Sequence, residues 1–370
     1  MLRFKGAEHF RQRLVLSTLS GRPIRIDDIR AADQAPGLRD HEASLLRLLE
    51  KLCDGVVVEI NETGTSLRYR PGLVVGGAGL EHDCGAGRAI GWFLEPLAVL
   101  ALFGRKPLEA TLRGVTNDGV DPGVDAWRAA TLPLLRAATG ADGFELKVVR
   151  RGCRPGGGGE VELRVPVLRA LPPVSLTDEG MVKRVRGVAH ASRVAPAAAN
   201  RLVDGARGVL NALLADVYIF TDAARGAEAG ASPGFGLTLV AETTSGRLLS
   251  AEASAAPRAP RGAGAAAGDA EAEAPEDVGR RAAAALLEEV SRGGVVDSAH
   301  QGLAILLCAL GPEEVGELRL GPLTPHAVRT LRHVRDFLGV TFAVRPERGS
   351  RTIFLSCVGA GVENRSRRLG

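Results

Sequence analysis

Val148-Val149-Arg150-Arg151-Gly152-Cys153-Arg154-Pro155-Gly156-Gly157-Gly158-Gly159-Glu160-Val161 ends one β-branched run and begins another. Alternation on both sides, from Phe144 to Arg150 and from Glu160 to Val165, predicts two paired strands with this stretch as their connection. Four consecutive glycines leave backbone N–H groups bare, and Arg150, Arg151 and Arg154 set guanidinium forks beside them. Such a loop can close on one anionic object, a phosphate foremost, with Gly157, Gly158 and Gly159 permitting close backbone approach. The plainer reading is a flexible hairpin loop kept soluble by its arginines.

Outward from this hairpin the pattern repeats. A helix from about Val124 to Ala138 precedes it, with Pro133 expected to kink or split that helix. Before that come a helix from Cys84 to Leu102 and a strand from Leu108 to Leu112. The same order opens the chain: helix Glu8 to Leu19, strand Pro23 to Ile29, helix Asp40 to Cys53, then strands Val56 to Ile60 and Ser66 to Arg70. It returns near the end in helical segments Val278 to Val290 and Ser298 to Leu310, strand Glu317 to Leu320, helix His326 to Leu338, and strands Thr341 to Val344 and Arg351 to Cys357. The expected fold is α+β, with three repeated βαβαββ-like units forming a large domain and a smaller α/β domain inserted before the third. The expected boundaries are 1–182 for the first two units, 183–277 for the insert and 278–370 for the third unit with a basic tail. Within the insert, a helix from Pro196 to Ala215 precedes strands Val217 to Thr221, Gly236 to Glu242 and Arg247 to Glu252. Its tail, Ser254 to Glu276, is rich in Ala, Gly and Pro, and reads as an unordered linker.

Composition sets bounds on the chemistry. The 370 residues are 45% hydrophobic and 24% charged, enough for a sizeable core. The formal charge is only +4, most of the cations being arginine, which permits RNA binding without requiring it. Cys53, Cys84, Cys153, Cys308 and Cys357 are scattered and odd in number, which argues for a reducing compartment and against a disulfide framework or a zinc site. The N-terminus has no signal-like apolar run and no stretch suits a membrane span, so a soluble intracellular protein without a membrane partner is expected. Asp118, Asp121 and Asp125 do not fit a calcium loop, and turn and cap roles suit them better. In His82-Asp83-Cys84, Asp83 is expected to cap a helix. No metal and no cofactor are expected.

Several blocks together resemble the RNA 3′-terminal phosphate cyclase superfamily, and its eukaryotic non-cyclase branch most of all. They are Phe10 to Pro23 (FRQRLVLSTLSGRP), Pro36-Gly37-Leu38-Arg39-Asp40, Leu112 to Asp118 (LRGVTND), the glycine stretch, Ser232-Pro233-Gly234-Phe235-Gly236 and Leu320-Gly321-Pro322-Leu323. They span nearly the whole chain in the family's order. The resemblance implies the three-unit architecture with a small inserted domain. It also implies that Pro155, Gly157, Gly158 and Gly159 match a cleft-facing Pro-x-Gly-Gly-Gly motif.

Family cyclases adenylylate a histidine with ATP and close an RNA 2′,3′-cyclic phosphate. Their G-E-G-G-G-Q signature with its following arginine falls here on Arg3 to Glu8 and Arg11, and only Gly6 and Arg11 match. Lys5 and Ala7 would crowd a nucleotide. The Gln-His that follows Pro-Gly-Leu in cyclases is His41-Glu42 here. His326, by contrast, stands at the position of the cyclase nucleophile. The resemblance implies a nucleolar factor of the small-subunit processome, needed for early pre-rRNA processing to 18S rRNA and lacking cyclase activity. It implies a ribosome-assembly GTPase as partner, with pre-rRNA as a second. The alternative is an enzyme: an ATP-dependent cyclase using His326, or an endoribonuclease on pre-rRNA.

On a helical wheel His326, Arg329, Arg332, His333 and Asp336 gather on one side of the last helix, with Arg335 at the flank and Val328, Leu331, Val334 and Leu338 opposite. That polar face is the candidate catalytic or RNA-holding set. The candidate anion- or RNA-binding residues are Arg11, Arg39, Arg150, Arg151, Arg154, Gly157, Gly158, Gly159, and the basic run Lys183, Arg184 and Arg186. The glycine stretch is expected to share one site with Arg11 and Arg332.

Overall fold

A computed structural model of the chain describes residues 1–255 and 273–367. It is α+β, with mixed sheets covered by helices. One four-stranded sheet has the order Leu2–Lys5, Ile24–Asp27, Leu67–Arg70, Val57–Ile60, its first pair parallel and the others antiparallel. The next runs Gly76–Asp83, Lys106–Gly114, Gly159–Val165, Glu145–Arg150 with the same alternation of directions. A third runs Ser175–Leu176, Val315–Leu320, Ile353–Val358, Ala343–Pro346, again parallel and then antiparallel.

A parallel pair needs a crossover, and helices Phe10–Ser20 and Ile90–Ala101 supply it in the first two sheets. In the third sheet the crossover carries the inserted domain as well as helix Gln301–Leu310. The insertion therefore follows the first strand of that sheet rather than preceding all of it. One continuous apolar core joins the helices to these sheets, with Leu14, Leu49, Phe93, Leu97, Leu307 and Phe337 all buried.

The glycine stretch does connect two antiparallel strands: Leu146 faces Leu163 and Val148 faces Val161. Other expectations shift. Leu2–Lys5 is a strand whose four residues, with Arg3 and Lys5 exposed, carry too little pattern to be read. The stretch from Cys84 is not helical until Ile90, because Gly76–Asp83 is a strand, and Asp83 accepts from Gly85 N (2.8 Å) in a turn rather than capping a helix. Ahead of Pro133, which lacks a backbone N–H, the helix widens into a π-turn over Trp127–Thr131 before continuing as Leu132–Thr139.

The insert is a sheet of order Val217–Ala224, Val182–Ser192, Gly234–Thr243, Leu248–Ser254, and helices Ala197–Leu210 and Pro275–Arg292 cover one face of it. Val278, Ala282, Ala283 and Leu286 lie in this second core. The boundary expected at 277/278 thus falls inside a helix of the insert, and the segment from Val278 packs there rather than in the third unit. The two helices cross closely at glycines: a Cβ at Gly205 would lie 2.3 Å from Glu276 O, and one at Gly279 2.2 Å from Leu202 O. Most of the expected linker, 256–272, lies outside the described residues. At its ends Ser254 closes a strand, while Pro275 and Glu276 open a helix. Among the described residues, no helix is long and apolar enough to cross a membrane.

Candidate functional site

Two helices distant in sequence build the site. Pro325–Leu338 begins with Thr324, whose hydroxyl accepts from Ala327 N (3.1 Å), and ends at Gly339 in the left-handed region. It packs on Phe10–Ser20 through Gln12, which donates to Thr330 Oγ1 (2.6 Å), and on strand Leu2–Lys5 through Phe4, stacked on Phe337 (5.5 Å, 14°). Gln12 Oε1 lies 2.6 Å from His333 Nδ1, so that nitrogen carries the proton and donates.

These contacts rotate the helix away from the expected wheel. Ala327, Thr330, His333, Val334 and Phe337 are buried, whereas Val328, Leu331 and Leu338 are only half-buried. The polar set divides: His326 and His333 point inward, and Arg329, Arg332 and Arg335 are exposed. The cause is the T-shaped packing of the His333 ring on Phe4 (5.7 Å) and His9 (5.7 Å), which makes that imidazole part of the seam. Burial, followed by Arg13 and His9, pushes the His333 pKa down to about 3. A base so weak and enclosed is poorly matched to strand cleavage near neutral pH. Arg335 pairs with Asp336 (3.0 Å) and Arg329 with Glu8 (3.8 Å), so the six candidates do not converge on one point.

His326 lines a cavity of about 660 Å³ shared by Arg11, Trp92, Glu95, Arg88 and His41. His9, held at φ 54°, stacks its ring on that of His326 (5.3 Å, 28°). On another side, a Cβ at Gly302 would lie 2.7 Å from His326 Cδ2 and 2.8 Å from Nε2, so this edge of the ring packs on the helix backbone. Burial lowers the His326 pKa, with Glu95 opposing and Arg11 adding to the shift. Burial also lowers His9, helped by His326. Arg11 bonds Glu95 (2.7 Å) and Trp92 O (2.8 Å) and lies over the Trp92 ring (5.5 Å). Arg88 lies over the same ring (5.4 Å) and pairs with Asp121, while Arg30 pairs with Glu42 (2.7 Å). Each guanidinium that enters the cavity already holds a carboxylate. The cavity mixes apolar walls with charge-balanced ion pairs and imidazoles, and an incoming phosphate would compete with carboxylates for each guanidinium.

The glycine stretch lies elsewhere. Arg151 is 3% exposed, bonded to Asp125 (2.9 Å), Asp222 (2.9 Å) and Asn117 (3.1 Å). Burial alone would lower its pKa, but Asp125 and Asp222 hold it above the ordinary arginine value. Asp125, whose pKa burial would raise, is kept low by Arg151. Arg154 bonds Asp118 (2.8 Å) and Gly87 O (3.0 Å), and Arg150 pairs with Glu160 (3.6 Å). The backbone is also committed: Gly157 N donates to Cys153 O (2.8 Å), and Gly156 N to Ser232 Oγ (2.9 Å). A Cβ would stand 3.2 Å from Gly114 at Gly157, 3.1 Å from Ala231 N at Gly158 and 2.6 Å from Thr116 Cγ2 at Gly159. These glycines serve close packing between the second sheet and the insert, rather than an open anion cradle. Cys153 and Arg154 line a cavity of about 250 Å³ with His190 and Phe235, separate from the one that holds Arg11 and His326.

The other candidates are dispersed. Lys183 and Arg184 pair with Glu242 (2.8 and 2.6 Å), Arg186 with Asp216 (2.7 Å) and the exposed Arg39 with Asp33 (3.6 Å). Asp118 Oδ1 accepts from Val120 N (2.9 Å) and Asp121 N (2.7 Å), the turn role expected of it. Sequence reasoning missed His9, Trp92, Glu95 and Arg88. The available signal was Trp92, one of two tryptophans in the chain, followed three residues later by a carboxylate in an otherwise apolar helix.

The family model for RNA 3′-terminal phosphate cyclase matches residues 2–344. The human RNA 3′-terminal phosphate cyclase-like protein is 51% identical, the match covering 100% of this chain and 98% of the human one. A probable RNA 3′-terminal phosphate cyclase-like protein of Arabidopsis thaliana is 49% identical, over 100% of this chain and 99% of its own. The rRNA processing protein rcl1 of Schizosaccharomyces pombe is 45% identical, over 99% and 98%.

Proposed function

The chain belongs to the RNA 3′-terminal phosphate cyclase family, and from that membership and its altered cleft we propose a role in pre-ribosomal RNA processing without cyclase chemistry. The name of the fission-yeast relative supports the ribosomal RNA assignment. In the finer reading the protein acts in the nucleolus, within the small-subunit processome, on early steps toward 18S rRNA. A ribosome-assembly GTPase is its protein partner. Pre-rRNA meets the exposed row Arg329, Arg332 and Arg335, whose cations stand outside the buried seam. We also read the three like-ordered sheets as copies of one βαβαββ unit.

The observation that carries the non-cyclase reading is the packing of the half-buried His326 ring between His9 and the Gly302 backbone. An in-line attack on an ATP phosphorus needs a free imidazole nitrogen facing a cradle of backbone N–H groups. Here Nε2 faces a helix, and Lys5 and Ala7 replace glycines of that cradle. Incubation with α-labelled ATP is expected to leave no covalent AMP on the chain. Labelling that disappears in His326→Ala would overturn the reading. Depletion of the protein is expected to accumulate 18S precursors, and normal precursor levels would refute the ribosomal part alone.

A further inference from the structure

The chain has few aromatic side chains, and among the described residues only two of them, Tyr218 and Phe220, are strongly exposed, at 51% and 55%. Both stand on strand Val217–Ala224, two residues apart and hence on one face, with their rings T-shaped at 4.6 Å. Val217 and Ile219, on the opposite face, are buried under the helices of the insert. The exposed face continues inward to Val188 and Val240, which with Phe220 line a groove of about 430 Å³ against Ala129 of the large domain; Tyr218 stands beside it, its ring on that of Phe220.

Val217–Ala224 is also an edge strand. It pairs with Val182–Ser192 on one side, and among the described residues no strand or isolated bridge flanks the other. Natural edge strands are usually short, charged or covered, and an eight-residue edge bearing two exposed rings departs from that pattern.

We propose that this edge is a docking site for an extended segment of a protein partner, added as a further strand with apolar side chains at alternate positions laid over Tyr218 and Phe220. Two observations favour polypeptide over nucleic acid. A ladder of backbone N–H and C=O groups, open beyond Val217 O, which accepts from Arg207 Nη2 (3.5 Å), is complemented in register only by another peptide backbone. The cations at the rim are balanced by carboxylates: Arg186 bonds both oxygens of Asp216 (2.7 and 2.9 Å), while Arg128 (3.4 Å from Asp125) and the buried Arg151 share Asp125 and Asp222. A balanced rim suits an apolar, near-neutral segment and gives a phosphate chain little net attraction.

The test uses the full chain and a Tyr218→Lys/Phe220→Lys variant, whose positions are exposed and whose fold is checked by its melting curve. A displayed library of random ten-residue peptides is panned on the wild type. Enriched peptides are expected to carry apolar residues at alternate positions, bind the variant at least ~10-fold more weakly and slow amide exchange across 217–224. Peptides that bind both proteins equally would overturn the proposal. So would a ten-nucleotide oligouridylate that binds the wild type and not the variant, which would make the rings a base-stacking face. Concentration-dependent dimerisation of the wild type, lost in the variant, would assign the edge to a second copy and equally defeat it.

Discussion

Arg150-Arg151-Gly152-Cys153-Arg154 and Arg329 to Arg335 are both arginine clusters that suggest phosphate recognition, yet the fold treats them oppositely. In the first, Arg151 is sealed between Asp125 of the large domain and Asp222 of the insert, and serves as an ionic rivet between domains. In the second, the arginines stay in solvent while His333 among them, and His326 one turn before, turn inward. The difference lies in what topology delivers. A guanidinium brought against buried carboxylates is committed to structure. Arg329 and Arg335, by contrast, hold Glu8 and Asp336 only in solvent-exposed pairs, which are weak and exchangeable, and the row of three arginines exceeds those two carboxylates in charge.

The largest expected effect breaks the first cluster. Arg151→Ala leaves the buried Asp125 with only its longer contact to Arg128 (3.4 Å) and is expected to lower stability by about 3–5 kcal/mol in denaturant titration. A midpoint equal to wild type would erase the contrast drawn above. Next is Gly302→Ala, where the added methyl meets His326 at 2.7 Å. A loss of about 1–3 kcal/mol is expected, with a displaced His326 resonance in a titration followed by NMR.

The pH response comes third. Burial, the leading cause in each case, lowers His82 and His190 to about 4 and His333 to about 3, from an ordinary 6.5. The unfolded chain therefore takes up these protons first, and stability falls as pH drops from 6.5 toward 4. Each histidine adds a slope of up to about 1.4 kcal/mol per pH unit. His300 works the other way: although burial opposes it, Asp297 raises its pKa, so its contribution is lost as pH climbs through that raised value. His190→Gln is expected to flatten the acid limb by about one proton in urea melts taken across pH. An unchanged slope would show that His190 titrates normally in the fold.

The smallest structural effect belongs to the outer cluster. Arg329→Ala/Arg332→Ala is expected to change stability by no more than about 0.5 kcal/mol. The same variant should weaken binding to a pre-rRNA fragment and reduce its salt dependence by about two charges. Undiminished affinity would move the RNA surface elsewhere.

Strand alternation around the glycine stretch was enough to predict the hairpin, because the pattern that buries Val161, Leu163 and Val165 is local. The fate of Arg151 was not, because its partners Asp125 and Asp222 stand 26 and 71 residues away. The wheel of the last helix was correct in period but wrong in phase: Phe4 and Gln12, from the far end of the chain, draw His333 inward. The insert's second helix was assigned to the wrong core for a related reason. Its apolar face is readable in sequence, but the sheet that it covers is not. The motifs that carry the family resemblance were local blocks, and the family match supports that reading.

Gln12 and Thr330, whose side chains close the seam beside His326, are 318 residues apart. A ribosome releases the N-terminal helix long before the helix that completes the seam has been made, and the whole insert must be threaded in between. The cleft therefore cannot exist on a nascent or truncated chain. Whatever recognises it inspects, in effect, a finished protein: the Gln12–Thr330 contact reports that both ends of the chain have been made and brought together.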